Sequence, residues 1–69
     1  SWHTEREPSG HLQVDHMLFV TQDPYWLRKY WIIVYVYTDV NEEGVRVGDS
    51  LVTLEIHRNE KVALSRYRP

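Results

Sequence analysis

The chain of 69 residues has no cysteine, three glycines, three prolines and a single phenylalanine. Without cysteine, disulfide staples, thiol chemistry and thiolate metal sites are all excluded. No apolar run approaches the roughly 20 residues of a membrane-spanning helix, and no signal-peptide pattern opens the chain. Positive charge is not in excess either: eight Lys and Arg against ten Asp and Glu give a net charge of −2. A nonspecific nucleic-acid binder is expected to be strongly basic, so this balance argues against that class. The missing cysteines and signal pattern lean toward an intracellular setting. The opening Ser1 is what a domain cut from a longer protein would show, which leaves the compartment open.

Length is also scarce. A chain of this size is one domain and hides only about 60% of the surface its unfolded form exposes. Such a chain usually needs a staple or a partner. With disulfides excluded, what remains is association, metal binding by other ligands, or a very efficient core. The charge that is present is uneven. From His57 to Pro69 four basic residues (Arg58, Lys61, Arg66, Arg68) face one acidic residue, Glu60. That end reads as a local contact surface or as a solvated, charged edge strand.

What the chain has in abundance is β-forming sequence. YWIIVYVYT, Tyr30 to Thr38, carries no charge. A strand there sends Tyr30, Ile32, Val34, Val36 and Thr38 to one side and Trp31, Ile33, Tyr35 and Tyr37 to the other. HLQVDHMLFVT, His11 to Thr21, alternates as an earlier strand. SLVTLEIHR, Ser50 to Arg58, is a third, with Val52, Leu54 and Ile56 on one face. KVALSRYR reads as a last strand behind an Asn59-Glu60 hairpin turn. Between them, QDPYW suits a type I turn or one short helical turn near residues 24–30, because proline fixes φ and aspartate accepts backbone N–H groups. DVNEEG is a polar loop closed by a glycine able to take positive φ, and Gly48-Asp49 marks a tight turn. Residues 1–10, SWHTEREPSG, show no period and read as a flexible tail or linker ahead of a single β domain at 11–69. Trp2 is the exception, an aromatic suited to dock on a sheet or a neighbouring chain.

The expected fold is therefore all-β: a small antiparallel meander of four to five strands, as an SH3-like partly closed barrel or half-sandwich. Ile32, Val34 and Val36 are assigned to the core as β-branched aliphatics with no polar atom to satisfy. Trp31, Tyr35 and Tyr37 then lie outside, where amphipathic aromatics are enriched at binding surfaces. Cover for that face could come from the chain's own tail, from Trp2, from the 39–49 loop, from a second copy or from a foreign ligand or partner.

Motifs for chemistry are weak. His11 and His16 are five apart and point to opposite faces of a strand, His3 lies in the tail, and His57 is distant. No pair has HxH or HExxH spacing, so no metal site is expected. Asp15 and His16 are adjacent and diverge, and no serine sits in a Gly-x-Ser-x-Gly turn, so neither catalysis nor a cofactor is expected. VRVGDSL followed by Lys61 resembles the lysine-bearing hairpin of biotinyl and lipoyl carrier domains, but the span from Gly48-Asp49 to Lys61 is too long for that pattern. VRVGDSLVTLEIHRNEKVALSRYRP also resembles the C-terminal hairpin of swapped-hairpin transcription regulators over about a third of the chain, without their preceding glycine-proline pattern. Neither identifies a family.

The sequence thus points to a non-enzymatic protein interaction or assembly module that uses an aromatic sheet face and self-associates. The alternative is a small β-barrel binding single-stranded nucleic acid, with bases stacked on Trp31, Tyr35 and Tyr37 beside Arg28, Lys29, Arg66 and Arg68.

Overall fold

A computed structural model describes all residues, 1–69. Strands β1 (His3–Arg6), β2 (Leu12–Gln22), β3 (Lys29–Asp39) and β4 (Leu51–His57) precede one helix, α1 (Glu60–Arg66). The strands form a single antiparallel meander in the order β1-β2-β3-β4. The expected all-β meander is the observed one. Its first and last strands do not pair with each other, so the sheet has two edges. Four of the ten residues read as a tail form β1, where His3 stands opposite His16 and Arg6 opposite Gln13.

The turn after β2 holds no helix. One carboxylate oxygen of Asp23 accepts the N–H groups of Tyr25 and Trp26 at 2.8 and 2.6 Å, and the Leu27 N–H bonds to the Asp23 carbonyl. Leu27 has φ of 56°, a left-handed conformation that costs a leucine roughly 1–2 kcal/mol. The loop after β3 behaves as its sequence suggests. Asn41 accepts the N–H groups of Glu43 and Val45 on its side chain, and Gly44 takes φ of 80°.

KVALSR, Lys61 to Arg66, is helical, correcting the expected last strand, and Asn59-Glu60 is not a hairpin turn. Asn59 caps the helix: its side-chain oxygen accepts the Val62 N–H at 3.2 Å. Such a cap is worth about 1 kcal/mol over alanine. Glu60 sits in the first turn and Arg66 in the last, each at the helix end that suits its charge. Glu, Lys, Ala, Leu and Arg are good helix formers. The period-2 spacing of Val62 and Leu64 is incidental, and both stay exposed.

The helix also decides which side of the sheet is inside. Ile33 and Ala63 are fully buried, marking where α1 lies across β3 and β4. The core assignment to Ile32, Val34 and Val36 is corrected in that Ile33 is the fully buried aliphatic of β3, while those three are half-buried on the opposite face, as Trp31, Tyr35 and Tyr37 are on this one. Both faces of β3 are apolar, so its pattern alone could not choose. The choice falls to the C-terminal segment, whose small Ala63 permits close approach.

Candidate interaction surface

Strand register sorts the sheet into two faces. On the α1 side, Val14, His16 and Leu18 of β2 stand opposite Tyr37, Tyr35 and Ile33 of β3, which stand opposite Leu51, Thr53 and Glu55 of β4. On the other side, Met17 and Phe19 pair with Val34 and Ile32, which pair with Leu54 and Ile56, while Val36 pairs with Val52. The 39–50 loop closes the far end of this second face, where Thr38 and Val40 are buried and Gly44 lies beside the Arg6 guanidinium, and no helix is built over the rest. Phe19 is 39% exposed, Val52 58%, Leu54 56% and Ile56 60%. Trp2, itself half exposed, lines a shallow hollow on it with Asp15 and Val36. Asp15 is engaged by the Thr4 hydroxyl and by the Gln13 amide at 3.1 Å, so its charge stays at the end of the face and out of its middle.

The α1 side is tied down by polar contacts. Glu55 accepts two bonds from Arg66, Nε to Oε1 and Nη2 to Oε2, each 3.0 Å. It also accepts the Tyr35 hydroxyl at 3.1 Å and meets His57 Nε2 at 2.9 Å. The Arg66 guanidinium, then the His57 hydrogen bond, hold the Glu55 carboxyl down at about 2. Desolvation, with the Glu55 bond second, raises the Tyr35 hydroxyl, and the same carboxylate raises the Arg66 guanidinium. His16 is buried and its Nε2 donates to the Arg68 carbonyl at 3.3 Å. Its ring stacks on His3 and Tyr35, with Tyr67 edge-on at 5.2 Å. These contacts fasten the end of the chain back onto β2.

Of the side chains singled out in the sequence, Tyr35, Tyr37, Arg66 and Arg68 come together. They line one open hollow of about 450 Å³ with Glu5, Val14 and His16, and the two tyrosine rings stack 6.3 Å apart. Trp31 shares their face but lies toward the other end of β3, opposite Val20 and His57. Arg28 and Lys29 are exposed where β3 begins, beside the Tyr25-Trp26-Leu27 tip. The seven residues therefore do not form one patch, and the aromatic face is the one α1 packs against, with Val20 and Leu51 on it left exposed. The alternation of Val52, Leu54 and Ile56 was the available signal for the open aliphatic face. No three His, Cys, Asp or Glu side chains converge as metal ligands would. No helix is long and apolar enough to cross a membrane.

Few residues are buried in this arrangement: three apolar side chains, Ile33, Val40 and Ala63, and two polar ones, His16 and Thr38. The chain presents 5349 Å² of accessible surface, against about 4,600 Å² for a compact monomer of its mass. Its radius of gyration is 14.5 Å, where a compact chain of this length has about 11 Å. The surplus of about 750 Å² is close to the roughly 800 Å² that one partner contributes to a standard protein interface. Comparison with protein-family models, with curated proteins and with solved structures finds no match to this chain, so the functional reading rests on its own residues.

Proposed function

We propose that this chain is a non-enzymatic assembly module that binds a second copy of itself through the open sheet face. The supporting observation is the run of Phe19, Val52, Leu54 and Ile56, all exposed, on the side of the sheet away from α1. A sheet buries its apolar side against another layer, and α1 packs only on the opposite side from these residues. Two sheets packed face to face about 10 Å apart would hide Phe19, Ile32, Val34, Leu54 and Ile56 of both copies, completing a sandwich from two halves. The contact is isologous and closes at two copies. It uses the aliphatic face in place of the aromatic one inferred from sequence. An apolar dye whose fluorescence rises on hydrophobic surface tests this reading. Signal per chain should rise on dilution as the face is uncovered, and a constant signal per chain would exclude the contact.

A second reading concerns the hollow beside α1, since Tyr35 and Tyr37 there adjoin Arg66 and Arg68 as single-strand recognition requires. Glu55 already neutralises Arg66 and Glu5 borders the hollow, which weakens the attraction to phosphate. Binding of mixed oligonucleotides at 50 mM salt, falling steeply at physiological salt, is what this reading predicts. No binding at the lower salt removes it.

A further inference from the structure

The two edges of the sheet are unlike. β1 is four residues long, HTER, polar throughout and fully exposed, the kind of short charged edge that discourages strand addition. β4 is seven residues, LVTLEIH, with no lysine, arginine or proline. Its inner side pairs with β3, and no other backbone hydrogen bond involves residues 51–57. Its one formal charge, Glu55, is turned to the α1 side and held there by Arg66 and His57. A long apolar edge with free N–H and C=O groups is a template for another strand.

We infer that the outer edge of β4 is a strand-addition site filled by β4 of a second copy, antiparallel and centred on Leu54; this rests on the reading that the chain self-associates. The sequence is complementary to itself in that register. On the open face Leu54 meets Leu54, and Val52 meets Ile56 twice. On the α1 face Thr53 meets Glu55 twice and Leu51 meets His57 twice. All seven residues pair, and no charge meets its like. Centring on Glu55 would oppose two carboxylates directly, which is destabilising. Centring on Thr53 would leave Ile56 and His57 opposite the turn residues Ser50 and Asp49.

The product is an eight-stranded sheet with both helices on one side and both aliphatic faces continuous on the other. Its two-fold axis stands perpendicular to the sheet, whereas the axis of the face contact lies in the sheet plane. With the face axis running across the strands at the level of Val34 and Leu54, the two axes meet and generate a closed assembly of four copies, two eight-stranded sheets face to face.

Thr53 is exposed and on the α1 side, so changing it leaves the open face alone. Thr53→Glu places a carboxylate opposite Glu55 of the other copy at two positions, and Thr53→Lys places an ammonium there. The first should weaken the edge contact on the order of tenfold and the second should keep or tighten it. Light scattering then shows Thr53→Glu falling from four copies to two, with Thr53→Lys staying at four. Amide exchange on the unsubstituted chain gives an independent reading, since every β4 amide is slow when both edges are paired and alternate ones are fast when the outer edge is free. Identical mass curves for both variants and the original chain, with fast alternate amides, would overturn the strand addition. Failure of the face contact looks different: Val34→Lys would then leave the mass unchanged.

Discussion

Val34→Lys should halve the solution mass of the assembly. Val34 lies near the middle of the open face, between Met17 of β2 and Leu54 of β4. In the face-to-face contact, an ammonium there would be pressed against aliphatic side chains with no partner, and two-fold symmetry brings in two of them. The expected loss in affinity is roughly a hundredfold or more, because each unpaired buried charge costs several kcal/mol. Val34→Thr keeps the β-branched shape and should lower affinity far less. In the free chain Val34 is half-buried and not fully enclosed, so the lysine can reach water and the strand persists. Light scattering together with far-ultraviolet circular dichroism checks both parts. A Val34→Lys chain with unchanged mass and β spectrum would show that the face is not the contact.

Replacing Glu55 with glutamine should loosen α1 from the sheet and flatten the acid response of stability. Glu55 joins the helix to the sheet through Arg66, and binds Tyr35 and His57 as well. Its carboxyl titrates at about 2 in the folded chain, down from 4.5. A depressed folded value means that the unfolded chain takes up the proton first. The stabilisation is therefore complete above about pH 4.5 and is lost as pH falls toward about 2. With the side chain a quarter exposed, solvent screening holds the contribution to about 1–2 kcal/mol. Urea midpoints should thus differ between the original chain and Glu55→Gln at pH 7 and converge near pH 2. Parallel pH profiles would contradict the role given to this carboxylate.

Much of the sheet is legible in the sequence. β2, β3 and β4 announce themselves by alternation and by β-branched and aromatic content, and Gly44 takes the positive φ its loop needed. Two features stayed hidden for physical reasons. KVALSRYR carries a period of two that mimics a strand, whereas the preceding Asn59 cap and its helix-forming residues weigh the other way, and over eight residues both patterns are short. The identity of the inner face was undetermined because β3 is apolar on both sides, so only the position of α1 over Ile33 could settle it. β1 was masked by its charged, aperiodic sequence, which is also what makes it a protected edge. With the tail read as linker, the stacking of His3 on His16 had no means of appearing in sequence. Of the site residues, the basic pair Arg66 and Arg68 and the tyrosines Tyr35 and Tyr37 converge because α1 returns along β3, a path no local pattern records.

The central claim is that this open half-sandwich is completed by its own kind. Its most direct test is the solution mass by light scattering over a hundredfold range of concentration. A mass above the 8.3 kDa of one chain, rising to two and then four copies and dissociating on dilution, is the predicted result. A constant mass of one chain at every concentration would contradict it.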